Sequence, residues 1–410
     1  MQTPQQHASG RFADAFRNGR ARSYLLADLL ADEARAGLLL SVAAVVAVAW
    51  ASADASGYAG VWQHLTGGSR GVLQLPANTL AWLDEGAMTL FFLVVGLELS
   101  RALVHGELSQ RRAAILPVVA ALGGMAGAGL AYVLVAHSSG TAHGYGIPMA
   151  TDIAFAVGAL GLLGRRVPPA LRLFVLALAV ADDLGSLAVL VLGYSGHLEL
   201  PRAAVAAACV VVAVALRRAR VRRATPYLVV GLLCWFALVR SGIEPALAGV
   251  VVGLSMPPES ADAGRLESRL IPITNGLVLP GFAIANVGVD LTGALLRAPH
   301  ASTVFTAVVV ARIAGKCLGV SLATLVAVRL LGGGLGGEVG PRQLLGAGAI
   351  CGVGFTVPLL VAGRAFGSSP ALLDATRLAL LVSSVGAFVL GAALLAPARR
   401  ARARDAAGDR

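Results

Sequence analysis

The sequence predicts an all-α polytopic membrane protein of about twelve transmembrane helices, several of them shorter than the roughly twenty residues that span a bilayer core. Three observations lead there. Of the 410 residues, 57% are hydrophobic and 13% charged, about half the charged fraction of a soluble globular domain. The apolar residues gather into stretches of about twenty, the length that spans the bilayer as helix. The basic residues collect between alternate stretches, as they do in cytoplasmic loops.

In chain order the stretches cover residues 36–54, 79–98, 114–136, 147–163, 171–195, 202–216, 226–240, 243–256, 272–292, 302–328, 343–363 and 377–396. Residues 1–33 read as a polar cytoplasmic tail, 34–397 as the membrane domain and 398–410 as a basic cytoplasmic tail. The first stretch follows an arginine-bearing leader with no small-residue cleavage pattern, so it reads as a span and not a signal peptide. Residues 65–75 carry Gly-Gly-Ser-Arg-Gly between short apolar flanks, which reads as a hairpin or an ordinary loop.

With an even number of spans and both termini inside, the inner segments hold 25 of the 33 basic residues and the outer loops six. Arg312 and Lys316 are the remaining two, inside the tenth stretch. The net charge of +11 is therefore a topology signal beside an anionic bilayer, and no nucleic-acid partner is implied. The 50 glycines suit closely approaching membrane helices. Cys209, Cys234, Cys317 and Cys351 all lie in apolar stretches without metal-ligand spacing, and the seven histidines form no ligand pair. Neither a disulfide framework nor a resident metal or cofactor is expected.

Ionisable groups inside spans are costly and mark a partner, a water-filled cavity or a function. Asp182 and Asp183 lie near the middle of a long apolar helix. Neighbouring residues on a helix point about 100° apart, so one carboxylate can face an aqueous cavity while the other faces a neighbouring helix. Thr151 and Asp152 follow Gly146-Ile147-Pro148, and a second weak point, Cys351-Gly352-Val353-Gly354-Phe355-Thr356-Val357-Pro358, occupies the eleventh stretch. Interruptions at corresponding places in two halves of a chain point to a transporter site. Lys316 is the only lysine among 33 basic residues; a buried lysine can lose its proton, whereas arginine effectively cannot. Asp84, Glu85 and Glu98 bracket the second stretch, as solvated helix ends or as parts of an ion path, and Asn286 and Asp290 mark the end of the ninth.

These residues resemble the NhaA-type sodium/proton antiporters. The resemblance rests on Phe91-Phe92-Leu93-Val94-Val95-Gly96-Leu97-Glu98, Pro148-Met149-Ala150-Thr151-Asp152-Ile153-Ala154-Phe155 and Val180-Ala181-Asp182-Asp183-Leu184-Gly185. It continues with Phe282-Ala283-Ile284-Ala285-Asn286-Val287-Gly288, Gly315-Lys316-Cys317-Leu318-Gly319 and Cys351-Gly352-Val353-Gly354-Phe355-Thr356, in order from about residue 33 to 396. It implies twelve spans built as inverted repeats, with two interrupted helices crossing near the midplane. It also implies exchange of cytoplasmic Na+ or Li+ for external protons in a bacterial inner membrane, for sodium and pH homeostasis and salt tolerance, by a homodimer.

By position, the resemblance makes Asp183 the main cation ligand, with Asp182 and Thr151 beside it. Asp152 and Lys316 offset the partial charges of the half-helix ends, and Glu98, Glu267 and Glu85 are candidates for ion entry or pH response. Many members carry histidines where this chain has Ser268, Ile271 and Glu244, so a differently placed pH response is expected. Ala102 stands where an acid is common, and Cys317 replaces a usual proline. Two other functions compete: a sodium-coupled organic anion symporter of similar fold, and an intramembrane aspartyl protease, which needs two carboxylates facing one peptide bond.

Overall fold

The computed structural model describes residues 19–64, 76–104, 111–137, 140–163, 167–194, 199–239, 241–289, 298–331 and 339–396. Among these residues the architecture is helical throughout, with no extended strand. The chain forms α1 (Gly19–Ala53), α2 (Ala55–Trp62), α3 (Met88–Val104), α4 (Arg111–Ala136), α5 (Ile153–Leu163), α6 (Pro169–Tyr194), α7 (Leu200–Arg218) and α8 (Ala224–Leu238). It continues as α9 (Leu247–Ser255), α10 (Ala261–Ile273), α11 (Leu279–Val287), α12 (Ala301–Val310), α13 (Lys316–Leu331), α14 (Pro341–Ile350), α15 (Thr356–Phe366) and α16 (Pro370–Leu395).

Among the described residues, eight helical stretches are long and apolar enough to cross a membrane. The four other expected segments carry shorter helices: α5, α8, α9, and α14 with α15. Outward-facing Leu192, Leu330 and Leu38 are 86%, 80% and 66% exposed, an apolar surface that water would not tolerate and a bilayer would. Three departures from the sequence reading have local causes. Helix α1 begins at Gly19, inside the expected tail, so only 1–18 of that tail lie outside the described residues. Helix α10 begins eleven residues before the expected 272, because Ser260 caps it, accepting from Ala263 N at 3.1 Å, and its first turns are too polar to register as apolar. Arg364, which the topology count puts in an outer loop, lies inside α15. The 65–75 hairpin, Asp290 and residues 397–410 lie outside the described residues.

Two features of packing position the site. Helices α4 and α13 lie against each other through glycines: a Cβ on Gly319 would stand 2.3 Å from Gly123 O, and one on Gly127 would stand 2.5 Å from Gly315 O. That approach, typical of small-residue membrane interfaces, fixes the helix start at Lys316. Gly319→Ala is expected to force the helices apart and cost about 1–3 kcal/mol, read as a lowered Tm of the purified protein. The second feature is the π-helical turn Ala311–Gly315, which joins α12 to α13 and carries Arg312. Such bulges recur at functional sites, because the extra residue re-aims the side chains around it.

Candidate ion-binding site

The interrupted segments meet at their breaks. Before α5 the chain runs through the 3-10 turn Ala142–Gly146 and then leaves helical conformation at Thr151 and Asp152. Between α14 and α15 it does the same over residues 351–355. The broken backbones join side by side: Thr151 Oγ1 donates to Cys351 O at 2.7 Å, and Asp152 N to Val353 O at 3.4 Å. A Cβ on Gly354 would stand 2.8 Å from Asp152 N, so glycine there permits the contact.

A broken helix exposes N–H groups at one end and carbonyls at the other, and in a bilayer each needs a partner. Asp152 serves the N–H ends of both second halves. Its Oδ2 accepts from Thr356 Oγ1 at 2.9 Å and Thr356 N at 3.4 Å, and its Oδ1 accepts from Phe155 N at 3.4 Å. Two cations serve the carbonyl ends. Lys316 Nζ donates to Met149 O and, at 2.5 Å, to Asp182 Oδ2, with both side chains wholly buried. Arg312, equally buried, donates from Nε to Gly352 O at 3.1 Å and from Nη2 to Gly352 O at 2.7 Å and Gly354 O at 2.9 Å. Ser384 Oγ completes this end, donating to Gly354 O at 3.2 Å and accepting from Gly354 N at 3.3 Å.

The adjacent aspartates on α6 diverge. Asp182 turns to Lys316, its backbone oxygen accepting from Ser186 Oγ at 2.8 Å. Asp183 is 6% exposed and borders a cavity that also touches Glu98, Asp152, Thr356 and Asn275. Its Oδ1 has no hydrogen-bond partner among the described residues. Glu98 has surface exposure, so this cavity links a carboxylate that reaches the protein surface to a buried, incompletely satisfied one. The two aspartates therefore do not face one shared point, as a protease pair would.

Of the sequence candidates, Thr151, Asp152, Asp182, Asp183 and Lys316 come together, with Glu98 at the far side of the cavity. Glu267 stands apart, held by the two terminal guanidinium nitrogens, Nη1 and Nη2, of Arg101. It shares a helix face with the cavity residues Ile271 and Asn275, four and eight positions on. Glu85 is not part of the site: it lies 13 residues before Glu98 along one helical run, about 20 Å away at 1.5 Å per residue. There its carbonyl accepts from Trp235 Nε1 at 2.7 Å, and the neighbouring Asp84 Oδ1 accepts from Asn286 Nδ2 at 2.8 Å.

Sequence reading gave no role to Arg312, Ser384 or Asn275. A signal for Arg312 was present, because it precedes Lys316 by four residues and so shares a helical face with it. Ser384 and Asn275 carried no signal, being neutral polar residues in apolar helices.

The family model described as Na+/H+ antiporter 1 matches residues 27–395. A Na(+)/H(+) antiporter NhaA from Cronobacter sakazakii is 40% identical over 372 residues, covering 89% of this chain and 95% of that protein. One from Escherichia coli is 39% identical over 371 residues, with 88% and 95% covered. The solved structure of a sodium proton antiporter from Methanocaldococcus jannaschii shares the fold at 14% identity, with a TM-score of 0.51 over 88% of this chain and 98% of that one. With a family model matching nearly its whole membrane region and relatives at two-fifths identity over nearly nine-tenths of its length, the chain belongs to the Na+/H+ antiporter 1 family.

Proposed function

We propose that this protein is a secondary transporter that exchanges cytoplasmic Na+ or Li+ for external protons at Asp183, across a bacterial inner membrane, with both termini cytoplasmic. The observation that carries the reading is the unpartnered Oδ1 of Asp183, buried beside a cavity that also holds Glu98. Na+ and protons compete for the same carboxylate oxygens, and hard cations prefer oxygen ligands. Exposing that one site alternately to each side therefore couples the two flows.

The charge balance of the site supports the same reading. Asp152, Asp182 and Asp183 are three buried carboxylates, and Lys316 and Arg312 are two buried cations. Buried charge in a bilayer must be compensated, and one Na+ or one proton supplies the missing positive charge. Thr151 and Asp182 stand beside the ion, Glu98 and Glu267 lie along its route from the cytoplasm, and Glu85 lies toward the outer end of α3. Two or more protons per sodium ion would make exchange electrogenic. The assembly is a homodimer, as the resemblance to the family implies. The organic-anion symporter has no support in the family assignment, and the protease has none in the diverging aspartates.

The test uses everted membrane vesicles carrying an imposed pH gradient. NaCl and LiCl are expected to dissipate the gradient and KCl to leave it intact. No dissipation by any of the three salts contradicts the reading, and dissipation only with an added organic anion favours the symporter.

A further inference from the structure

We propose that Glu244 and Arg364 are a positioning pair that holds the Asp183 cavity open toward Glu98. The inference rests on the antiporter reading above and concerns residues that touch no transported ion. Glu244 is 5% exposed, in the turn that leads into α9. Its Oε2 accepts from both Nε and Nη2 of Arg364, at 3.0 and 2.9 Å, while its Oε1 is buried without a partner among the described residues. A charge placed at such cost in a membrane domain needs a use.

The two residues belong to different packing groups, which α11 joins by touching both α15 and α3. Helix α9 packs on α3, α8 and α7, and α3 carries Glu98. The groove between α9 and α3 is closed by glycine, since a Cβ on Gly253 would stand 2.6 Å from Leu93 O, so these two helices pack backbone against backbone. Helix α15 packs on α6, α16 and α11. It begins at Thr356, which donates to Asp152 and borders the cavity, while α6 carries Asp183. The cavity thus lies between the two groups, with Glu98 from one and Asp183, Asp152 and Thr356 from the other. Arg364 stands eight residues beyond Thr356 on the same helix face, about 12 Å along the axis. The Glu244–Arg364 pair therefore ties the two groups together at the end of α15 remote from the cavity.

Alternating access requires the groups to shift relative to one another. An interaction made in one state and not in the other changes the populations of both. The pair exists in the state whose cavity borders the exposed Glu98, so it favours that state. A ligand's apparent affinity scales with the fraction of protein competent to bind it. Weakening the pair must then lower the apparent Na+ affinity on the Glu98 side and raise it on the opposite side. A brace that merely keeps the protein folded cannot move the two affinities in opposite directions.

The experiment measures apparent KM for Na+ in vesicles of both orientations, for wild type, Glu244→Gln, Arg364→Gln and the charge exchange Glu244→Arg with Arg364→Glu. Each single change is expected to raise KM about 3- to 10-fold on the Glu98 side, the cytoplasmic one in the arginine-based topology, and to lower it on the other. The exchange is expected to restore both values toward wild type. If a single variant fails to fold, the exchange variant decides alone, since rescue of folding without wild-type KM values overturns the proposal. Unchanged KM values on both sides, or equal changes of the same sign, also overturn it. Wild-type vesicles run in parallel keep the two readings apart: absence of Na+-dependent proton movement there is a failure of the antiporter reading, and its presence with unshifted variants is a failure of the positioning pair alone.

Discussion

Asp183→Asn is expected to abolish Na+- and Li+-dependent proton movement, down to the level of vesicles without the protein. The amide keeps the shape of the carboxylate and loses both its charge and the group that takes up a proton. Because the Asp183 side chain is buried and its Oδ1 lacks a partner, the substitution removes no hydrogen bond to that atom, and the variant is expected to fold and insert. Loss of activity without loss of protein separates an ion ligand from a structural residue. Asp182→Asn is expected to be impaired for a different reason, because it strips Lys316 of its anion. Gradient dissipation on adding NaCl to vesicles with folded Asp183→Asn would show that the ion binds elsewhere.

Lys316 gives the second large effect, and two substitutions divide it. Lys316→Ala leaves Met149 O without its donor and Asp182 as an uncompensated buried charge. Breaking such a pair costs on the order of 3 to 5 kcal/mol, enough to lower the Tm of the purified protein markedly. Lys316→Arg keeps a positive charge at the half-helix end but cannot release its proton. If sodium binding separates Lys316 from Asp182 and releases the lysine proton, the arginine variant is expected to be stable, with lost exchange or reduced dependence on membrane potential. Transport by Lys316→Arg with unchanged stoichiometry in proteoliposomes would remove the lysine from the proton path while leaving Asp183 in place.

The parts of the fold and site legible in the sequence were those where the bilayer imposes a rule. Among the described residues, apolar length located eight expected spans on helices long enough to cross a membrane and the other four on shorter or broken helices. The cost of buried charge singled out Asp152, Asp182, Asp183 and Lys316, which the structure brings together. Proline and glycine at Pro148 and over residues 351–358 marked both breaks.

Illegible were the features that depend on which helices meet. In the sequence Arg312 is one basic residue in a span, and only the approach of the Ala311–Gly315 turn to the 351–355 break shows that it holds two carbonyl oxygens. The start of α10 was missed because Asp262, Arg265, Glu267 and Arg269 lower its apolar content, although a polar extension beyond the membrane remains good helix. Glu244 read in isolation as a substituted histidine position. Its partner Arg364 is 120 residues away in sequence, and no local pattern joins them.

The central claim, that Asp183 is the site for which Na+ and protons compete, is tested most directly by Na+ titration of purified protein in a calorimeter. Measurement in two buffers of different ionisation enthalpy counts the protons released per ion bound. Wild-type protein is expected to bind Na+ saturably and release at least one proton per ion, as direct competition requires, while folded Asp183→Asn shows neither. Saturable Na+ binding with the same proton release in Asp183→Asn would contradict the account.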